Sequence, residues 1–187
     1  RPGDTAARIA LAQLLKEDGK SAEAAELIVG LRDGLPASAY LVAAKIAIEF
    51  AENSSDAAAL SAAERYLQRI EGTAGFETQI ALWSGRLHEA AGRHAAAFES
   101  FRAAEQRIPP DSGADHLAVV LGLARSALAT DQAPLALATL EAGLERHPAS
   151  TDLLIALSRA ALQADLGDRA LQAARQAAEL SPRSIPA

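Results

Sequence analysis

Apolar residues return along this chain at helical spacing, in blocks that repeat at intervals close to 34 residues. Ala24, Ala59, Ala97, Ala136 and Ala170 mark the blocks, with successive intervals of 35, 38, 39 and 34. One residue after each anchor stand Ala25, Leu60, Phe98, Leu137 and Leu171, and four after stand Ile28, Ala63, Phe101, Leu140 and Ala174. All are apolar and share one helical face, so each anchor is predicted to lie in a helix with a buried stripe. Twelve residues before the anchors come Ala12, Ala47, Gly85, Ala124 and Ser158, all small. One residue earlier come Leu11, Ile46, Ser84, Leu123 and Leu157, mostly large and apolar. Each block therefore reads as a first helix with a small notch beside a large residue, followed by a second helix.

The breaks are also periodic. Gly19 and Gly92 lie five residues before their anchors, where Ser54, Asp131 and Asp165 stand in the other blocks. Glycine supplies the left-handed conformation that ends a helix, and Asp or Ser caps the next one. Twelve residues past the anchors come Pro36, Glu71, Pro109, Pro148 and Pro182. With 8 prolines in 187 residues, chance would place about 0.2 of them at these five positions. The prolines are therefore read as closing the second helices, which they cannot continue. The predicted helices are 5–17 and 21–34, 38–52 and 56–70, 77–91 and 94–107, 114–129 and 133–146, 150–165 and 168–180. Turn-rich insertions at 71–75 and 110–113 lengthen the loops between blocks.

A period of 34 with modest insertions is the mark of stacked helical hairpins. The third block, with Gly85, Gly92, Ala97, Phe101, Ala104 and Pro109, resembles the tetratricopeptide repeat (TPR) in its spacing of small, apolar and closing residues. The last block, with Leu154, Leu157, Ser158, Ala161, Ala170, Ala174, Ala177 and Pro182, matches the same pattern. The second block departs most, having Glu71 for the closing proline and Tyr66 where a small residue is usual. Sel1-like and HEAT repeats are the rival solenoids, and the spacing of the last two blocks favours TPR. The resemblance implies an all-α, right-handed superhelical solenoid of five hairpins, with units at about 5–37, 38–75, 76–113, 114–149 and 150–183 in a single array. It further implies first helices lining a concave groove that takes peptides or protein partners.

Composition supports thin, closely packed helices. Half the residues are hydrophobic but only 4% are aromatic, and about a quarter of the chain is alanine, the best helix former. The net charge of −6 argues against a nucleic-acid partner, which needs a basic footprint. The absence of cysteine excludes disulfides, thiolate metal sites and cysteine nucleophiles. No stretch is long and apolar enough for a transmembrane helix, so direct membrane insertion is not expected.

Eleven residues before the anchors stand Gln13, Ile48, Arg86, Arg125 and Arg159. In TPR proteins this place generally faces the groove. Three consecutive units thus offer arginine at equivalent points on helices about 10 Å apart. Such a ladder suits an extended acidic or carboxylate-bearing segment, since each guanidinium grips a carboxylate in bidentate fashion. The alternative is that the arginines pair with neighbours such as Glu89 or Asp152 and keep the groove soluble. Trp83, the only tryptophan, lies one turn before Arg86 and is either an aromatic anchor for a partner or a packing residue. Gln79 extends the same face.

No enzyme constellation stands out, and no cofactor or metal is implied. His88 and Glu89 begin a zinc-protease pattern, but Gly92 stands where its second histidine must be. His88, His94, His116 and His147 read as scattered neutral side chains. The reading is a non-catalytic protein-interaction scaffold, resembling those of bacterial export and assembly systems, with a periplasmic location slightly favoured over a cytoplasmic one. The alternative is a regulatory or substrate-docking TPR domain of a larger multidomain enzyme. Repeat stacks usually finish in a polar capping helix. Neither end shows one, so further sequence or end-to-end association between two chains is expected there.

Overall fold

The computed structural model describes residues 5–31, 34–109 and 112–180. Among them are ten helices: α1 (Thr5–Glu17), α2 (Ser21–Val29), α3 (Ala37–Ser54), α4 (Ala57–Ile70), α5 (Glu77–Ala90), α6 (His94–Glu105), α7 (Gly113–Ala129), α8 (Ala133–Arg146), α9 (Thr151–Gln163) and α10 (Gly167–Leu180). The fold class is all-α, as the periodicity predicts. Pro182, Pro110, Asp111 and the first four residues lie outside the described residues.

One expected boundary moves. α2 stops at Val29 rather than 34, and the Leu31 N–H returns to the Ile28 carbonyl instead of continuing the helix. Pro36 does not close α2. It stands at the N-cap of α3 in extended conformation, where the helix needs no intrahelical donor from it.

The turns between helices also work differently from expectation. Asp131 and Asp165 do not cap the helices that follow them. They adopt the left-handed conformation themselves, at φ 56° and 58°, as Gly19 and Gly92 do at 78° and 70°. Aspartate tolerates that region because its short polar side chain bonds locally. In the second block the role falls to Ser55, at φ 54°, and not to Ser54. Asp56 then caps α4, its carboxylate accepting from the Ala59 N–H at 2.7 Å. Where proline is missing, Glu71 ends α4 and Gly72 turns the chain at φ 75°.

The chain falls into two compact units, Arg1–Arg93 and His94–Ala187. In the first, α1 pairs with α2 and α3 with α4. First helix also lies beside first helix, α1 with α3 and α3 with α5, while α2 and α4 each pack on the first helix that follows. Tyr66, bulky where a small residue is usual, is accommodated between hairpins. Its hydroxyl donates to the Ile28 carbonyl, and its ring stacks on Tyr40 at 5.9 Å between centroids. The Tyr40 oxygen accepts in turn from the Gly34 and Leu35 N–H groups, at 3.0 and 3.3 Å.

The second unit repeats the scheme. α6 packs on α7, α7 pairs with α8, α8 packs on α9, α7 lies beside α9, and α9 pairs with α10. Its core gathers Val120, Leu140, Leu153 and Leu157 around small residues such as Ala124, Ala136 and Ala161. The predicted notch residues Ala12, Ala47, Gly85 and Ala124 are buried, and Ser158 is half-buried. Three expected core positions are exposed: Leu11 on α1 and Leu171 and Ala174 on α10. Among the described residues α10 packs on α9 alone, and α1 packs on α2 and α3.

Candidate functional site

On the first-helix face of the first unit, α3 and α5 build a charged cluster around Trp83. The Trp83 ring is buried, with the Arg86 guanidinium 4.2 Å and the Lys45 ammonium 5.1 Å from its centroid. Both cations are attracted to the electron-rich ring face. Arg86 also forms a fork with Glu52, Nε to Oε1 at 2.8 Å and Nη2 to Oε2 at 2.6 Å, and its Nη1 lies 3.8 Å from Glu49 Oε1. Lys16 on α1 pairs with the same Glu49. The acidic partners of Arg86 thus come from the preceding first helix, one period earlier in sequence. Its guanidinium is held between a carboxylate and an indole. Gln79 is half-buried one turn before Trp83, and Gln13 is exposed on α1.

In the second unit Arg125 on α7 and Arg159 on α9 are both exposed and line one cavity of about 420 Å³. Leu121, Leu128 and Ile155 supply apolar walls, and Asp152 is the acidic residue of the lining. The two arginines are 34 residues apart, so the repeat itself places equivalent points of adjacent first helices in one pocket. Two guanidiniums against one carboxylate leave the pocket net positive. It combines an apolar patch with donors whose planar forks suit a second carboxylate.

A larger cavity of about 860 Å³ lies between α6, α7 and α8 of the same unit, lined by Phe98, Arg102, His116, Leu135, Thr139 and Arg146 among others. At its edge His116 Nδ1 lies 3.0 Å from His147 Nε2, within hydrogen-bonding distance, with the tautomers deciding which ring donates. Burial, with lesser contributions from the Arg146 and His147 charges, pushes the His116 pKa below its ordinary value. Two of the supposedly scattered histidines therefore form a pair, joining the first turn of α7 to the end of α8. His88 in the first unit is likewise pushed down, first by burial and then by Arg93, against the opposing charge of Glu64. Among the described residues no group of three or more His, Asp or Glu side chains is placed to hold a metal ion, and no helix is long and apolar enough to cross a membrane.

No protein-family model and no curated protein matches the sequence. Solved structures do match the backbone. MamA (residues 41 to the end) of Desulfovibrio magneticus RS-1 superposes with a TM-score of 0.72 at 12% identity, covering 98% of this chain and 99% of that one. A thermophilic TPR protein of Thermus thermophilus superposes with a TM-score of 0.68 at 15% identity, covering 96% of this chain and 93% of that one. The chain has the tetratricopeptide-repeat fold. A chain of the APC/C hetero-tetramer Cut9–Hcn1 matches with a TM-score of 0.65 at 16% identity, over 98% of this chain and 35% of that one.

Within the TPR fold, contacts between neighbouring hairpins join residues about one period apart, such as Arg86 with Glu52 and the Gln163 amide with the Leu128 carbonyl. That rule gives the signal by which Glu52, 34 residues before Arg86, could have been placed beside it. The histidine pair had a fainter one, a separation of 31 residues.

Proposed function

We propose that the chain is a non-catalytic scaffold that binds a segment of a partner protein along the first-helix face of its second unit. The observation that carries this reading is the pocket shared by Arg125 and Arg159, with its apolar walls of Leu121, Leu128 and Ile155. Stacked repeats present their first helices as an extended surface that suits a long, narrow ligand. The occupant that fits is an extended stretch carrying an Asp or Glu carboxylate beside a branched apolar side chain. The carboxylate takes the guanidinium forks in competition with Asp152, and the apolar side chain enters between Leu121 and Ile155. Arg86 and Trp83 have a different part in this reading. Their contacts with Glu52 and Lys45 stiffen the first-helix face of the first unit, while Gln13 and Gln79 offer it neutral hydrogen-bonding groups. A chain of the same fold occurs in the Cut9–Hcn1 assembly, and membership of a multi-protein complex is the setting the scaffold reading favours.

A labelled peptide alternating glutamate with leucine tests the reading. Charge-assisted bonds contribute about 1.5–3 kcal/mol each, so Arg125→Glu or Arg159→Glu should weaken binding tenfold or more, and added salt should weaken it further. Arg102→Glu, on the cavity between α6 and α8, should leave it unchanged. Equal affinity of all three variants and the parent would reject the site.

A further inference from the structure

We infer that Asp152 sets the ligand class of the arginine pocket in the second unit, making it select a carboxylate over a dianionic phosphate monoester. This rests on the reading that the pocket holds an anionic group of a partner segment. Guanidinium forks match both kinds of anion in bidentate fashion, so Arg125 and Arg159 alone do not tell them apart. The third charged side chain of the pocket does. Asp152 lines the same cavity of about 420 Å³ as Ile155, Ala156 and Arg159 of its own helix. Those residues follow it by three, four and seven positions, so all four share one face of α9.

The repeat shows that the fold asks for no charge at this point. The equivalent residues of the earlier first helices are Ala6, Leu41, Gln79 and Ala118, none of them acidic. Nor does α9 need Asp152 as its cap. Ser150 fills that place, its hydroxyl accepting from the Leu153 N–H at 3.3 Å. In the first turn Asp152 does favour the helix dipole, a modest gain that an acidic side chain anywhere in that turn would give. What is particular to Asp152 is that its exposed carboxylate shares a pocket with two arginines. Seven residues of helix put its Cα about 10 Å from that of Arg159, which leaves room for an anion between the two side chains. A carboxylate meets this fixed negative charge with one charge of its own, and a phosphate monoester with nearly two. The repulsion is therefore about doubled for phosphate, and doubling an energy squares the penalty in affinity. Across a pocket open to solvent that penalty is about threefold for the carboxylate and about tenfold for the phosphate.

The test uses two labelled, end-blocked peptides of alternating serine and leucine, one with a single central glutamate and the other with phosphoserine in its place. Fluorescence anisotropy at neutral pH and low ionic strength gives their affinities for the parent chain, Asp152→Asn, Asp152→Glu and Arg159→Glu. The parent should prefer the glutamate peptide. Asp152→Asn should strengthen glutamate binding about threefold and phosphoserine binding about tenfold, moving the ratio about threefold toward phosphate. Asp152→Glu keeps the charge and should keep the parent's ratio, which a role confined to the helix dipole would not require. A parent that prefers phosphoserine overturns the inference. So does an Asp152→Asn variant with an unmoved ratio, and so does an Asp152→Glu variant that behaves like Asp152→Asn. The pocket itself is judged separately. Full binding of both peptides by Arg159→Glu, or no binding of either by the parent, rejects the reading beneath the inference. Loss of binding in Arg159→Glu with an unmoved ratio in Asp152→Asn rejects the inference alone.

Discussion

Replacing Gly122 by alanine sets two well-calibrated effects against each other. Gly122 lies inside α7, where a free helix would gain about 1 kcal/mol from the change. In this protein an added Cβ would sit 2.5 Å from Cε2 and Cζ of Phe101 and 2.7 Å from its Cε1. Carbon atoms in good contact are roughly 3.5–4.0 Å apart, so the overlap is about 1 Å. Phe101 is fully buried on α6, and swinging the ring out would forfeit burial worth about 1.5–3 kcal/mol. Relaxation of the α6–α7 contact is the cheaper response, and overpacking of this kind costs about 1–3 kcal/mol. Subtracting the helix gain leaves a net loss of up to about 2 kcal/mol. Urea denaturation followed by far-ultraviolet circular dichroism should show the lower midpoint. Phe101→Leu in the same background should recover part of the loss, so that the two changes fail to add by about 0.5 kcal/mol or more. A higher midpoint for Gly122→Ala alone would refute the claim that this glycine exists to let α6 approach α7.

Ser126 is fully buried with its hydroxyl lacking a hydrogen-bond partner among the described residues. Ser126→Ala should therefore stabilise the protein by about 1 kcal/mol in the same denaturation assay, and a loss of stability would show that the hydroxyl is satisfied. Asp56→Ala removes the cap of α4 and should cost about 1 kcal/mol, with Asp56→Asn recovering most of it. The pH dependence follows from His116 and His88, whose pKa values are both lowered on folding. Below about pH 6.5 the unfolded chain binds protons that the fold refuses, so stability is full above that pH and falls as the solution is acidified toward the depressed values. His116→Gln should flatten this slope in part, His88→Gln should remove a further part, and an unchanged slope in both would contradict the assignment.

The repeat made most of the fold legible before any coordinates. Ten helices, their order and nearly all their limits follow from where small, apolar and turn residues recur. What escaped was local backbone chemistry. Asp131 and Asp165 look like helix caps in sequence, and only their positive φ shows that they do the work of Gly19 and Gly92. Pro36 looks like a terminator because it recurs with the others, yet α2 had already ended at Val29. The close approaches at Gly122 and Gly143 fall outside the notch positions and depend on which large side chain faces each glycine. At the candidate site, the period puts Arg86, Arg125 and Arg159 at equivalent points; Arg125 and Arg159 line one cavity, and Arg86 forms an ion pair because α3 carries Glu49 and Glu52 about one period earlier. The partners of Arg86 were legible only by comparing its helix with the preceding first helix, which single-position reasoning leaves out.

The most direct test of the binding account is an amide-resonance titration of the isotope-labelled chain with the glutamate–leucine peptide. The account predicts shifts that cluster on Leu121, Arg125, Leu128, Ile155 and Arg159, and that disappear in the Arg125→Glu, Arg159→Glu double variant. Shifts confined to the cavity of Phe98, Leu135 and Thr139, or an unperturbed spectrum at millimolar peptide, would contradict it.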